Sequence, residues 1–336
     1  MMERNVYDHY GLYMREAFQA GAYAGFYTDH AAYLLVPDVM QKSDDWKEKL
    51  DWAAHLKWCG DDTIAEFVAP YTRGYSVPVD GEKQLLFQIP AKPVREHDPV
   101  SDGEALFRFH QLGKRLFPSS AVQPFSQRWC EWWETRLGQL ENWYANVRKK
   151  ASYSDMDKWF LHTFPYYIGR TENAIQWVKE TAWEMGAGEE PGCVSHFCFT
   201  PNTWITIAEN NASVKLPSDW LYDHPSRDVA EWLRYVLTDG DTKAASQFLS
   251  DYQHEYELSP LACQLVFGRL LFPYYFMERV EQTYLRETTS EYDQALADLQ
   301  AMWEKEPEHI EKLAVIANTS LSCGKDLPEW FITSLS

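Results

Sequence analysis

The hydrophobic pattern changes its period once, near residue 95, and that change limits the folds open to this chain. Before it, short runs such as Ala31 to Val36 (AAYLLV) and Gln84 to Ile89 (QLLFQI) read as strands rich in aliphatic and aromatic residues. Asp80-Gly81, ahead of the second run, is a tight-turn pair, because both central positions of the favoured hairpin turn need positive φ. One helix interrupts the strands. Ser43 is placed to cap it, Asp44 and Asp45 suit the positive end of its dipole, and Trp46, Leu50 and Ala53 share a face until Gly60 ends it.

After the turn-rich stretch Lys92 to Ser101 the period becomes helical. Helices are predicted over Glu104 to Leu116, from Pro124 to about Lys150, over Asp155 to Phe164 and over Thr171 to Met185, the last two parted by Pro165. A hairpin of Thr203 to Ala208 and Ala212 to Leu216, turning at Glu209-Asn210-Asn211, is followed by helices from Ser226 onward. Tyr292 to Lys305 is like a single tetratricopeptide helix, but no period recurs upstream, so it reads as a packing helix. The expected fold is α+β and bilobal, of the kinase class: a small antiparallel-sheet lobe over 1–95, and a large helical lobe over 96–336 with a β-hairpin near 203–216.

The chain has 336 residues, which at roughly 150 residues per domain also suggests two units. With 50 acidic and 31 basic side chains its net charge is -19, a field that repels phosphate backbones and anionic membrane surfaces. Nucleic acid and membrane are therefore not expected partners. The N-terminus lacks the basic start and apolar stretch of a secretory signal, so synthesis in the cytoplasm is expected. Six scattered cysteines read as reduced thiols, and Cys193, His196 and Cys198 lack the fourth ligand and regular spacing of a zinc site.

Two stretches are specific: VSHFCFTPNT from Val194 to Thr203, and SVKLPSDWLYDHPSRDVAEW from Ser213 to Trp232. Together they resemble the catalytic half of the aminoglycoside and choline phosphotransferase family, where HGDxHPGN precedes a strand ending in IDW and a D-L-A helix. Upstream, LFRFH from Leu106 to His110 is similar to the family's L-A-x-F-H helix. Within the family the wording LPSDW and DHPSRD, with the AYLLVP strand and the overall length, resembles the kinase-like spore coat protein S group.

Phosphoryl transfer needs a carboxylate at the attacking hydroxyl, magnesium ligands and a cation on the nucleotide phosphates. Carried over position by position, the resemblance puts His196 on the family's histidine and Pro201 on its proline, but Cys198 on its catalytic aspartate. The magnesium-binding asparagine falls on Thr203, with Asn202 one place early. Counting back without gaps from Asp228, which matches the aspartate of D-L-A, puts Leu216 on the IDW aspartate; Asp219-Trp220 restores the pair only with a three-residue shift. The strand that should end in a nucleotide-binding lysine runs Tyr33 to Pro37, and the nearest lysine downstream is Lys42. Asp228 is implied to hold the backbone of the loop carrying His196, a structural role that outlasts catalysis.

The resemblance thus implies a noncatalytic kinase-like protein of the spore coat, made in the mother cell and acting by contact with other coat proteins, with no cofactor and no metal. The alternatives are a magnesium- and ATP-dependent small-molecule phosphotransferase using Asn202 and Asp219 as displaced ligands, or a nucleotide-binding regulator without turnover. Plainer readings stand beside these. His196 is expected to be a hydrogen-bonded structural residue rather than half of a Cys198 nucleophilic pair. Asp219, Asp223, Glu189 and Glu190 are expected to be solvated turn carboxylates. Trp129, Trp132, Trp133 and Trp143 fit one helix face and core packing, and Gly21 and Gly25 fit hairpin geometry.

Overall fold

The computed structural model describes residues 2–38, 43–90, 100–114, 116, 128–185, 190–207, 212–285, 289–321 and 331. The chain forms two compact units: Met1–Ser101, Ala105–Ser119 and Cys193–Tyr222 make the first, and Asp102–Glu104, Ser120–Gly192 and Asp223–Ser336 the second.

The first unit is organised by a six-stranded sheet in which β1 (Glu16–Ala20), β2 (Tyr23–Tyr27), β3 (Ala32–Pro37), β6 (Glu82–Gln88) and β4 (Glu66–Val68) lie in that order, with β5 (Val77–Val79) also on β6. Every registered pairing in it is antiparallel. Asp80 and Gly81, at φ 50° and 92°, form the turn between β5 and β6 as their sequence requires. Gly21, at φ 58°, turns β1 into β2, and the Phe18 ring lies so close over Gly25 that a β-carbon there would collide with it.

Both faces of the sheet are covered, which is why β3 reads as a continuous apolar run rather than an alternation. Leu34, Val36, Leu85 and Phe87 pack on one side with Trp46 of α2 (Ser43–Trp58) and with Ile205, Ile207, Val214 and Leu216. Tyr33, Leu35 and Leu86 pack on the other with Val6 and Tyr10. Those two residues belong to α1 (Met2–Tyr10), a helix absent from the sequence reading, where one helix was expected among the strands. Its nine residues bury only Val6 and Tyr10, too sparse a stripe to declare a period.

Also in this unit are most of α3 (Asp102–Gly113) and the hairpin of β8 (Ile205–Ile207) and β9 (Ala212–Val214), paired as Ile205 with Val214 and Ile207 with Ala212. A strand pair of β7 (Cys193–His196) and β10 (Trp220–Asp223) was not anticipated. His196 therefore ends a strand rather than lying in a loop. The hairpin turn at 209–211, Lys42, and the side chains of Ser43, Asp44 and Asp45 lie outside the described residues.

The second unit is helical: α4 (Trp129–Val147), α5 (Asp155–Met185), α6 (Ser226–Thr238), α7 (Thr242–Tyr252), α8 (Pro260–Leu271), α9 (Tyr274–Leu285) and α10 (Thr289–Ile316). The two helices expected on either side of Pro165 are one. Proline in a helix interior forfeits a hydrogen bond and costs roughly 3 kcal/mol, but Phe160, Phe164 and Tyr167 before and after it share one buried stripe with Ala174, Ile175 and Val178, and breaking the helix would split that stripe. On α4, Trp129 and Trp133 are core residues, whereas Trp132 and Trp143 are half-buried and meet Arg128 and Tyr284. Asp241 and Ser259 cap α7 and α8 by accepting from Ala244 N and Ala262 N.

Candidate functional site

The motif stretch folds as a compact turn between β7 and β8. His196 is fully buried, its Nε2 accepting from Trp204 Nε1 at 3.1 Å, an arrangement that puts the ring proton on Nδ1. Phe109, Phe199, Trp204 and Trp220 surround it, with ring centroids 4.9 to 6.5 Å away. The LFRFH helix supplies Phe109, so this match to the family pattern acts by packing on the histidine. With its Nε2 lone pair engaged, His196 is a poor base for the Cys198 thiol.

Thr203 is consumed by the turn itself. Its Oγ1 accepts from Thr200 N at 2.8 Å and donates to Cys198 O at 3.2 Å, and its own N–H reaches Thr200 O at 3.0 Å. Pro201 and Asn202 are exposed and Cys198 is half-buried. Phe197 N donates to Asp219 O at 2.8 Å, so Asp219 lies beside the turn, on a single 3₁₀ turn of Pro217–Asp219.

The remaining expected positions are Leu216, and Val36 or Pro37 at the end of β3. Leu216 is 5% exposed and Val36 1%, and they sit in the same cluster on one face of the sheet; Pro37, the last residue of β3, is exposed. Next to Leu216 lies a cation that the reading missed. Lys215 Nζ meets Asp61 Oδ2 at 2.7 Å, with the Trp204 and Phe109 ring centroids 4.6 and 5.4 Å away, and Asp61 Oδ1 accepts from Thr63 N at 3.1 Å. Backbone bonds Ala65 N to Lys215 O and Lys215 N to Thr63 O, both 3.0 Å, fix the same junction. Lys49 of α2 donates to Ser218 O. No spacing rule links residues 61 and 215 in the sequence; only the paired backbone brings them together.

In the second unit the DHPSRD segment is a buried knot, correcting the expectation that Asp223 is a solvated carboxylate; Asp219 and Glu190 are half-buried. Asp223 is fully buried and accepts from Trp129 Nε1 at 2.9 Å, Arg227 Nη1 at 3.1 Å and His224 N at 2.7 Å. His224 contacts Glu190 Oε2 at 3.1 Å and Ser226 Oγ at 2.8 Å. That serine–histidine–glutamate order has the look of a hydrolase triad, but Ser226 is fully buried as the first residue of α6 and also gives its N–H to the ring, so its hydroxyl is closed off from any substrate. Glu189 lies outside the described residues. Asp228 is fully buried in the first turn of α6. Farther along that helix, Glu231 takes Arg234 at 3.2 Å and Arg269 at 2.7 Å. Burial pushes its carboxyl up, but the arginines Arg234, Arg269 and Arg227 outweigh burial and hold it below the usual range.

The aligned positions supply no hard ligand for magnesium, so its oxygen donors would have to come from Asn202 and Asp219. Leu216 offers no oxygen, the Thr203 hydroxyl is spent on the backbone, and a thiol suits that hard cation poorly. Among the described residues, no three His, Cys, Asp or Glu side chains are grouped to hold a metal ion. No helix among them is long and apolar enough to cross a membrane.

The architecture is that of the kinase-like phosphotransferases. An aminoglycoside phosphotransferase from Alicyclobacillus acidocaldarius superposes with a TM-score of 0.68 at 13% identity, covering 92% of this chain and 93% of its own. A spectinomycin phosphotransferase, solved with ADP and spectinomycin, gives 0.58 at 10% identity, covering 95% and 97%. Within that fold the chain belongs to the family described as "Spore coat putative kinase YutH", whose model matches residues 3–316. The endospore coat-associated protein YutH of Bacillus subtilis (strain 168) is 26% identical over 298 residues, 87% of this chain and 86% of that one.

Proposed function

We propose that this protein is a noncatalytic kinase-like component of the spore coat, acting by contact with other coat proteins. One observation carries the noncatalytic reading: Leu216, which the resemblance sets on the family's metal-binding aspartate, and Val36, which with the exposed Pro37 ends the strand where the nucleotide lysine is expected, are packed into one hydrophobic cluster. A cation or carboxylate at either position would be stripped of water without a partner, which costs several kcal/mol. Cys198 and Thr203 add to this, since neither supplies the proton acceptor or the metal ligand that phosphoryl transfer needs. The coat assignment is supported by family membership and by the name of the Bacillus subtilis relative.

Asp219 favours a second reading, a magnesium- and ATP-dependent small-molecule phosphotransferase, because its backbone bond to Phe197 brings it beside the turn. The two readings part on one assay. Wild type and Cys198→Asp are incubated with magnesium-ATP and aminoglycosides, choline or small sugars, and phosphorylated product is measured at equal folded concentration. Neither is expected to turn over. Turnover by the wild type would overturn the noncatalytic reading, and turnover by the mutant alone would show that Asp219 or Asn202 holds the metal. A fluorescent fusion is expected on the coat of developing spores, and Cys198→Ala is expected to leave it there.

A further inference from the structure

The C-terminal end of α2 brings together a soft donor pair that includes no residue used by the phosphotransferase resemblance. His55 and Cys59 are four residues apart, so both side chains leave the same helix face. Their facing atoms, His55 Nε2 and Cys59 Sγ, are 3.4 Å apart. The helix end holds them there. Cys59 N donates to His55 O at 2.9 Å, and Gly60, at φ 102°, lets its own N reach Lys57 O at 2.9 Å and Asp61 N reach Leu56 O at 3.1 Å. Those last two bonds are the pair that commonly closes a helix on a glycine.

The separation matches the bite of a tetrahedral chelate. A zinc ion holds sulfur at about 2.3 Å and imidazole nitrogen at about 2.0 to 2.1 Å, which sets the two donors about 3.5 Å from each other. Little movement of either side chain is needed to close on such an ion. Both residues are half-buried, so the pair is open to solvent, and a β-carbon on Gly60 would meet nothing within 4 Å, which leaves space past the thiol for the ion's water ligands. Charge favours a cation as well. Partial negative charge collects at a helix C-terminus, the neighbouring Lys57 is offset by Glu66 at 2.7 Å, and the chain's net charge is -19. Cys130 and Cys263 differ: their thiols turn to the carbonyl oxygens of Ile175 and Leu258, and burial pushes both up to about 11.

We propose that His55 and Cys59 form a two-donor site for zinc or a divalent cation of its class, with water completing the tetrahedron. The thiol proton leaves to solvent as the sulfur–metal bond forms, and the imidazole binds as the neutral ring through Nε2. The ion clamps the end of α2, from which the chain runs directly into Asp61 and Thr63, the residues that hold Lys215 by its side chain and backbone. The site is independent of what the Cys198 turn does.

Calorimetric titration of the untagged full chain with zinc chloride, the thiols kept reduced by a phosphine, tests it alongside a cadmium titration followed by the ultraviolet thiolate-to-metal charge-transfer band. Saturable zinc binding in the micromolar range, a cadmium band and a raised melting midpoint are expected. The second donor of a chelate binds intramolecularly, so His55→Ala and Cys59→Ser are each expected to weaken zinc at least about tenfold. Cys59→Ser is also expected to remove the cadmium band, whereas Cys198→Ala and Cys130→Ser leave band and affinity unchanged. His55 and Cys59 are half-buried at a helix end, and the metal-free variants are expected to melt close to the wild type. No saturable zinc binding at millimolar concentration, a cadmium band that survives Cys59→Ser, or an unchanged zinc affinity in His55→Ala would overturn the proposal and leave the pair as an internal hydrogen bond.

Discussion

Two segments that the phosphotransferase resemblance treats alike have separate physical fates. In the turn from His196 to Thr203 and at the neighbouring Leu216, charge is gone: a thiol, a hydroxyl bound to backbone, and aliphatic core occupy the expected positions. In the segment from Asp223 to Arg234, charge is kept and buried, with Asp223, Arg227, Glu231 and Arg234 all under 5% exposed. The retained charges each have a partner within hydrogen-bonding distance, and that partner is on another part of the scaffold or one turn along it. Buried charge survives here where it ties helices together, and is absent where the resemblance calls for it to meet a nucleotide. Lys215 refines the contrast, because this buried cation next to the turn is also paired inward, to Asp61.

The largest effect expected from this comparison is at Glu231. Glu231→Gln leaves Arg234 and Arg269 buried without their carboxylate, and breaking such a pair costs roughly 3 to 5 kcal/mol. Urea unfolding at pH 7 measures it; a loss under 1 kcal/mol would mean that the knot is not what holds α6 and α8. The folded carboxyl is held below its unfolded value, so this stability is present above about pH 4.3 and is lost as pH falls through the folded value. The variant is therefore expected to flatten the acid limb.

Lys215→Met probes the corresponding ion pair beside the turn. It strands Asp61 and is expected to cost about 3 kcal/mol, and adding Asp61→Asn is expected to return part of that loss. Additive losses in the double mutant would show that the two groups are not coupled.

His309 gives an effect of intermediate size through pH. Its imidazole is neutral when folded and takes up protons on unfolding at any pH between about 3 and 6.5. Stability is then complete above pH 6.5 and falls by up to about 1.4 kcal/mol per pH unit below it. His309→Gln is expected to remove roughly 2 kcal/mol of the decline between pH 6.5 and 5, read from urea midpoints at each pH. Parallel curves for the two proteins would contradict this. Smallest is Thr203→Val, which deletes two turn hydrogen bonds at a half-buried site and is expected to cost about 1 kcal/mol by the same unfolding measurement.

The antiparallel sheet ahead of a large helical portion, the Asp80-Gly81 turn and the pairing of 205–207 with 212–214 were legible in the sequence because each follows from local rules of period or turn chemistry. What was not legible depends on packing between distant segments. Pro165 looked like a stop until the stripe of α5 was seen to run through it, α1 is too short to show a period, and Asp223 looked solvated because nothing local reveals Trp129 above it. The same holds for Lys215: its sequence neighbours describe a strand end, and only the backbone bonds to Thr63 and Ala65 bring Asp61 within reach.

The central proposal, that Cys198, Thr203, Leu216 and Val36 or Pro37 do not serve a nucleotide, is tested most directly by titrating the full chain with magnesium-ATP in a calorimeter and by following its melting midpoint alongside. A nucleotide held at 100 times its dissociation constant would add about 2.7 kcal/mol of stability. We predict no saturable heat and no rise in midpoint at millimolar magnesium-ATP; saturable binding in the micromolar range with a rise in midpoint would contradict the account.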